Sequence, residues 1–523
     1  MKKITLFTTA LLCFNILFAQ TDDAAKFAGT ITAADLKKQL TIIASDEMEG
    51  RETGTEGQRK AADYISTQFE AFGLKTAQGM KGYQQYYPLF QDSLVSSSLT
   101  INKTNLVYGT DFISPANLNE TGTFKGKNLV FVGYGIDDEK YNDYAGMNVK
   151  GKIVVFFLGE PKKDGVYLIS GKKRGSAWSY PGIPKKLAAA KALGAVGALV
   201  INPLMENFSK YTVDASKKTG VIFTSLSSTD KSIDFAMLSH NYGKMVIGNL
   251  FDSLLKKAKA SEPIAGINPP VKGAKISFVF NKNRNVVNAS NVIGIIEGTD
   301  KKDEYVFLTG HYDHLGKHDG KIYYGADDDG SGTCAVLEMA EAFSKAKAAG
   351  KGPRRTIVFM TVSGEEKGLW GSEYYSDHPV YPLDKTSVDL NTDMVGRLDT
   401  ERKTDDTLNY VYVIGHDKLS SDLPVINEGV NKKYTNLVFD YKYDDPNDQN
   451  RIYYRSDHYN FARKGVPILF FYDGMLQADY HKPTDTVDKI YWDIYEKRVR
   501  MIFHTAWEIA NRDDMLKRDI PLQ

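Results

Sequence analysis

The chain has 523 residues, of which 42% are hydrophobic, 25% are charged and 12% are aromatic. This length is too great for one hydrophobic core, so we expect two or three domains. The 66 basic and 65 acidic residues nearly balance, which gives no indication of a polyanionic partner, and we expect no nucleic-acid binding.

Residues 1–19 have the pattern of a signal peptide, with two lysines, an apolar run from Ile4 to Phe18, and Ala19 before a polar stretch. The apolar run is short and is closely followed by polar residues, so we expect no stable membrane span after cleavage. The sequence therefore predicts an exported protein, in the periplasm or outside the cell.

Two cysteines occur, Cys13 and Cys334. A lipid anchor at Cys13 is the weaker alternative to cleavage, because no small residue precedes it. After cleavage only Cys334 remains, so no internal disulfide can form. We expect Cys334 to lie on a helix with its side chain in the hydrophobic core.

Residues 32–75 predict two helices joined by the loop DEMEGRETGTEG. From about residue 100 short strand patterns follow one another, which indicates a separate β-rich module. The segment from Gly146 to Lys152 is close to a phosphate-binding loop, but Ile153 replaces the required hydroxyl residue and a strand follows, so we reject nucleotide binding. After a proline-rich stretch at 263–270, strands and helices alternate to the last amphipathic helix.

These patterns predict an α/β fold, a mixed and mainly parallel sheet flanked by helices, with an inserted β-rich domain. The predicted boundaries are a signal peptide at 1–19, a first part of the α/β domain at 20–98, the β-rich insert at 99–268, and the second part of the α/β domain at 269–523.

The stretch from Tyr305 to Phe343 carries the densest chemistry. His311 and Asp313 come directly after a buried strand, where open α/β sheets bind ligands. Asp327, Asp328 and Asp329 then precede a Gly-Ser-Gly turn and a helix. Adjacent carboxylates repel one another unless a cation shares them, which indicates a metal site.

Three further strand patterns end in ligand-type residues. The first leads to Glu365 and Glu366, the second to Asp393, and the third, through a loop, to His481. Because parallel strands end at one edge of a sheet, these residues are expected to converge with His311.

Two histidines with three carboxylates are one ligand too many for a single tetrahedral zinc, and they suit two metals that share an aspartate. Asp313 is expected to orient the His311 ring through its other nitrogen, and Glu365 is expected to be the general base. The other seven histidines are predicted to be surface residues or to lie outside the ligand set.

Several segments resemble, in the same order, the secreted di-zinc aminopeptidases and glutamate carboxypeptidases of metallopeptidase family twenty-eight. They are SDEMEGRETGTEGQRKAADYI, GHYDHLG, GADDDGSG, SGEEKGLWGSE, NTDMVGR, RSDHYNFARKGVP and YHKPTDT. The insert is similar to a protease-associated domain in its GYG, VKGKIVV and AKALGAVGA segments.

This resemblance implies a zinc exopeptidase fold and two zinc ions. One zinc would bind His311, Asp328 and Asp393, and the other Asp328, Glu366 and His481. It also implies Glu365 as the base, a cis peptide between Asp328 and Asp329, and Tyr480 as a group that helps to hold the oxyanion, although Tyr480 is equally expected as a packing residue. Arg455 is expected either to orient acids that receive the substrate amine or, more readily, to form a salt bridge.

The leading functional hypothesis is an exported aminopeptidase that hydrolyses peptides with a metal-activated water. A carboxypeptidase, which needs a basic pocket for the terminal carboxylate, and an inactive binding protein of the same fold are the alternatives. Glutaminyl cyclisation on one zinc is disfavoured, because both Asp328 and Asp393 are present.

Overall fold

The computed structural model describes residues 22–179, 182–223, 232–267, 274–404 and 406–522. The predicted signal peptide lies outside the described residues. The chain divides into two compact units: residues up to Tyr87 together with those from Ala289 onward form unit 1, and Pro88–Asn288 form unit 2.

The observed division differs from the predicted boundaries at 99 and 268. Both chain crossings lie inside long strands, Gln84–Ile101 and Ile276–Ile296. A continuous strand shows no change of composition where it passes from one unit to the other, so the sequence gives no signal there.

The centre of unit 1 is part of an eleven-stranded mixed sheet, in which seven neighbouring strands have the spatial order β6-β5-β7-β4-β2-β3-β1. In chain order these are β1 (Ile276–Ile296, of which the carboxyl end falls in this unit), β2 (Lys301–His311), β3 (Arg355–Val362), β4 (Thr386–Thr392), β5 (Tyr410–Ile414), β6 (Val438–Asp440) and β7 (Ile468–Tyr472).

The centre of this sheet is parallel. Strand β2 pairs in parallel with β3 and β4, so that Leu308 lies opposite Phe359 on one side and Leu390 on the other, and β4 pairs in parallel with β7. Strands β1 and β5 are antiparallel to their neighbours β3 and β7. The predicted α/β class with a mixed, mainly parallel sheet is confirmed.

Both faces of the sheet are buried, as expected for parallel strands with unbroken apolar runs. Along β2, Val306 and Leu308 enter one hydrophobic core, and Tyr305 and Phe307 enter another on the opposite face. The helices of unit 1 are Asp23–Ala28, Ala33–Ile43, Glu56–Ala71, Gly332–Ala348, Trp370–Asp377, Asp422–Tyr434, His458–Ala462 and Trp492–Asn511.

Cys334 is fully buried in the helix Gly332–Ala348, as predicted. The remaining short strands of unit 1 are Lys75–Thr76, Gly316–His318 and Lys321–Tyr323. Within the described ranges, each helix is too short or too polar to cross a membrane.

Unit 2 contains a five-stranded sheet in the order Phe112–Ile113, Phe235–Leu238, Gly197–Ile201, Ile153–Phe157 and Leu129–Phe131. Its strands pair in parallel except the first, which is antiparallel. The described part of this unit also holds the helices Ile183–Ala192, Lys210–Lys217, Gly243–Ile247 and Phe251–Lys259, so the module is mixed α/β where the sequence predicted mainly β structure. Its resemblance to a protease-associated domain stays a prediction.

Candidate metal centre

Four strand ends of unit 1 bring the predicted site residues together. His311 is the last residue of β2, and Asp393 follows β4 directly. Glu365 follows β3 after two residues, and His481 lies on the loop that follows β7. Since β2, β3, β4 and β7 run parallel side by side, these residues share one edge of the sheet.

The two oxygens of Asp328 face two different clusters. Its Oδ1 lies 3.3 Å from His311 Nε2, and this nitrogen is 3.6 Å from Asp393 Oδ1. Its Oδ2 lies 3.2 Å from His481 Nε2, which is 3.0 Å from Glu366 Oε2. The geometry therefore gives two groups of nitrogen and oxygen donors that share one carboxylate.

The donor atoms fit two bound cations. Within the described part of the chain, His311 Nε2, Asp328 Oδ2 and Glu366 Oε1 are buried and have no hydrogen-bond partner. Buried polar atoms are normally satisfied, so such a concentration of unsatisfied ligand-type atoms indicates a missing ion. Imidazole nitrogens with carboxylate oxygens are a donor set that zinc accepts.

Hydrogen bonds engage the two neighbours of Asp328 in the chain, which leaves Asp328 as the carboxylate that faces both clusters. Asp329 accepts hydrogen bonds on both oxygens from the backbone amides of His311, Gly332 and Met394, and Asp327 Oδ1 accepts one from Gly396 N. The amide nitrogens of Asp327 and Asp328 donate to the Asp485 carboxylate. The peptide bond between Asp328 and Asp329 is cis, as the resemblance implied.

The His311 ring is oriented by a backbone group rather than by the carboxylate that the sequence predicted. Its Nδ1 lies 3.0 Å from the carbonyl oxygen of Asp313, but 3.7 Å from Asp313 Oδ1. A proton on Nδ1 donates to this carbonyl and leaves the Nε2 lone pair for a metal.

The Asp313 carboxylate instead positions the loop that carries Glu365. It accepts hydrogen bonds from Thr53 Oγ1 at 2.7 Å and from the backbone nitrogen of Glu365 at 3.2 Å. Thr53 Oγ1 also accepts a hydrogen bond from Gly364 N at 2.8 Å. The loop that carries the two glutamates is thus fixed by Asp313 and by the amino-terminal segment.

Arg51, in the same segment, is fully buried and donates only to backbone carbonyls. These are the carbonyls of Tyr312, Ile43, Tyr324 and Gly325, at 2.7 to 2.8 Å. The sequence marked DEMEGRETGTEG as a loop and as part of the resemblance, but it assigned no role to Arg51 or Thr53.

Sequence reasoning also missed His314. It was one of the seven histidines that were predicted to lie outside the ligand set, yet its ring is fully buried, and Nδ1 lies 2.7 Å from Glu366 Oε1 and 3.8 Å from Asp328 Oδ2. The sequence feature that could have identified His314 is its position three residues after His311, just past the end of the same strand and before Gly316.

The surroundings of the cluster shift the pKa values of Asp328 and Glu365 in opposite directions. Burial opposes ionisation of Asp328, but the neighbouring rings of His311 and His481 hold its pKa well below the usual range. Burial, with Asp393 and Glu366 nearby, raises the pKa of Glu365 well above its usual range against the opposing effect of His311.

Glu365 faces a pocket beside the donor clusters. Its Oε2 is 3.9 Å from His311 Nε2. The pocket is lined by Asp328, Glu365, Asp393, Met394, Ile452, Arg455, Phe470, Tyr472, Leu476 and Tyr480. A wider cavity of about 580 Å³ elsewhere in unit 1 contains none of the predicted site residues.

Tyr480 and Arg455 form a pair at this pocket. The Tyr480 ring stacks on His481, with ring centroids 3.8 Å apart, and its hydroxyl accepts a hydrogen bond from Arg455 Nη2 at 2.9 Å. The salt bridge expected for Arg455 is not found, since no carboxylate of the described residues lies within ion-pair distance of its guanidinium.

The donor residues lie in a segment whose sequence matches a known protein family. Residues 291–506, which include the donor residues named above, match the sequence model of peptidase family M28. This segment is therefore similar to the M28 peptidases. Unit 2 lies outside the matched residues.

The chain is similar to a probable leucine aminopeptidase of Arthroderma otae, to which it is 28% identical over 47% of this chain and 64% of the relative. A probable zinc metalloprotease of Pyrenophora teres f. teres is 34% identical over 24% of this chain and 26% of the relative. Each match thus spans less than two thirds of the relative. An aminopeptidase structure from Aneurinibacillus sp. strain AM-1 shares the fold, with a TM-score of 0.51, 18% identity, and coverage of 95% of this chain and 98% of the other.

Proposed function

We propose that this protein is an M28-type peptidase, an exported exopeptidase that holds two zinc ions and releases residues from the amino terminus of peptides. The observation that carries the proposal is the shared Asp328, which faces one donor cluster with each oxygen, while Glu365 stays free beside them. Export is supported by the pattern of residues 1–19.

When bound, the two metals would polarise the scissile carbonyl and lower the pKa of the attacking water. Glu365, which lines the pocket 3.9 Å from His311 Nε2, takes the proton of that water and returns it to the leaving amine. Tyr480 accepts a hydrogen bond from Arg455, which leaves its own hydroxyl proton available to donate to the developing oxyanion.

The lining of the pocket favours cleavage at the amino end over cleavage at the carboxyl end. A carboxypeptidase needs a basic pocket for the terminal carboxylate, but Arg455 is the single basic side chain among the lining residues, and it already donates to Tyr480. Six lining residues are apolar or aromatic, so we expect a preference for peptides with an apolar first residue; these are Met394, Ile452, Phe470, Tyr472, Leu476 and Tyr480. The name of the Arthroderma otae relative supports the same activity.

A peptide library decides which end is trimmed. We expect the zinc-loaded protein to shorten peptides from their amino termini, as read by mass spectrometry, and to leave peptides with an acetylated amino terminus intact. Loss of residues from carboxyl termini would contradict the proposal, and so would an absence of trimming at full zinc occupancy.

The neighbours Glu365 and Glu366 give a matched pair of variants. Glu365→Gln keeps shape and volume but removes proton transfer, so we expect kcat to fall by about 100-fold to 10,000-fold, or about 3–5 kcal/mol of barrier, with zinc content and Tm unchanged. Glu366→Gln removes a ligand oxygen and should lose zinc together with activity. Zinc analysis and kcat on an aminoacyl chromogenic substrate check both; a fully active Glu365 variant would show that the base is another group.

A further inference from the structure

We propose that His314 is a fourth protein ligand of the metal that Asp328, Glu366 and His481 hold. This inference rests on the proposed two-metal function and adds to it a ligand outside the set that the resemblance implies. It makes the two metal sites unequal, with three protein ligands in one and four in the other.

The position of the His314 ring carries the proposal. It is fully buried, and Nδ1 lies 2.7 Å from Glu366 Oε1 and 3.8 Å from Asp328 Oδ2. The exposed side of the same cluster holds His481, and the two imidazole centroids are 6.0 Å apart at an angle of 70°. The two rings therefore approach Glu366 from different sides.

His314 and Glu366 bring two ligand-type atoms close together. Both Nδ1 and Oε1 are buried and, within the described ranges, lack a hydrogen-bond partner of good geometry, although they lie 2.7 Å apart. His314, Asp328 and Glu366 each place one donor atom within 4.8 Å of the other two, an arrangement that can hold a metal ion. Two ligand-type atoms in contact without a hydrogen bond of good geometry are expected where both point at a third atom, a bound cation.

The surroundings are shaped to hold this ring in place. At Gly325, which has a φ of +55°, an added Cβ would lie 2.5 Å from His314 Cγ, so the position admits the ring only because it is glycine. Arg51 donates to the carbonyls of Tyr312 and Gly325, which precede and follow His314 in the sequence. These hydrogen bonds hold the backbone on which the imidazole stands.

The different number of protein ligands predicts a different role for each metal site. Zinc sites with four protein ligands are closed, while sites with three keep a position for water or substrate. The three-ligand cluster of His311, Asp328 and Asp393 is the one beside Glu365, whose Oε2 is 3.9 Å from His311 Nε2. We expect the base to serve this open site, and the metal near His314 to be the more tightly retained.

Metal release tests this without reference to activity. During dialysis against graded chelator, we expect the wild-type protein to lose one zinc readily and the second only at much higher chelator concentration. His314→Gln should weaken retention of that second zinc by more than about 100-fold, the upper end of the effect of losing an outer hydrogen-bond partner. His318→Gln, an exposed histidine of the same loop, is the control and should release zinc like the wild type.

A thiolate provides a direct reading of ligation. In cobalt-loaded His314→Cys, we expect a near-ultraviolet thiolate-to-cobalt charge-transfer band, which a thiol that does not bind the metal cannot produce. X-ray absorption at the zinc edge of the wild-type protein needs no variant, and it should fit three imidazoles for two zinc ions.

The outcomes separate the two proposals. Wild-type protein that binds fewer than two metals would overturn the two-metal function itself. Two bound metals with only two imidazoles, or with no charge-transfer band in a folded cysteine variant, would overturn the role of His314 alone.

Discussion

Thr53 is the side chain through which the amino-terminal segment reaches the loop of the predicted base. One hydroxyl donates to Asp313 Oδ2 and accepts from Gly364 N, so it joins the strand end of β2 to that of β3. Thr53 touches no predicted ligand, and its effect is on where Glu365 stands. A hydroxyl of this kind is a positioning group, and its loss should act on rate more than on binding.

We expect Thr53→Val to lower kcat by roughly 10-fold, because a buried carboxylate and a buried amide each lose a partner at a cost of about 1–3 kcal/mol. KM and zinc content should change little, and Thr53→Ser, which keeps the hydroxyl, should restore the rate. Steady-state kinetics with parallel zinc analysis measure this. Equal rates in the valine and serine variants would show that the Thr53 hydroxyl does not affect the rate.

At the scale of the element, the strand ends were the part of the site that the sequence could predict. Each of β2, β3, β4 and β7 is an apolar run followed by an acid or histidine, and the structure brings those residues to one edge. What the sequence could not predict depends on how loops fold back. His314 and Thr53 look like ordinary loop residues until the carbonyls around Arg51 place them beside the ligands.

The short helix His458–Ala462 is held against β7 by an uncharged imidazole. His458 Nε2 lies 2.8 Å from the carbonyl of Tyr453, and the ring stacks on Phe470 with centroids 4.7 Å apart. Burial lowers the pKa of His458 from 6.5 to about 3. Between these values the unfolded chain binds a proton that the folded chain does not, so stability falls as the pH falls through 6.5.

His458→Gln should therefore flatten the pH dependence of unfolding. Between pH 7.5 and pH 5, we expect the variant to lose about 2 kcal/mol less stability than the wild type, from the proton uptake of one unfolded imidazole. Urea unfolding with chelator present, so that metal release does not contribute, gives the difference, and the exposed His318→Gln serves as control. Identical slopes in all three proteins would mean that His458 is charged in the fold.

On the scale of the whole molecule, unit 1 is discontinuous: residues up to Tyr87 and those from Ala289 onward build one sheet and its helices. The two chain ends at the interruption are neighbours within that unit, since Ser290 Oγ donates to Gln84 and Ile293 N donates to the carbonyl of Tyr83. All the predicted metal ligands and both positioning residues, Arg51 and Thr53, belong to unit 1.

Replacing residues 88–288 by a short hairpin linker should therefore leave a protein that still binds two metals. The linker joins adjacent strand ends, and no donor atom is removed. Zinc stoichiometry, with circular dichroism to establish folding, measures the result. A folded deletion variant without zinc would mean that unit 2 supplies a ligand.

The split of unit 1 also sets the order in which its parts emerge from the ribosome. Leu36, Leu40, Ile65 and Phe69 belong to the core that includes β2 and β3, and they are translated before any residue of those strands. At the usual rates, residues 88–288 take roughly 10–40 s to synthesise. During that interval the first helices carry an uncovered apolar face and Arg51 lacks three of its four carbonyl partners. We therefore expect the nascent chain to depend on chaperones for longer than a chain with the same α/β unit and no insertion.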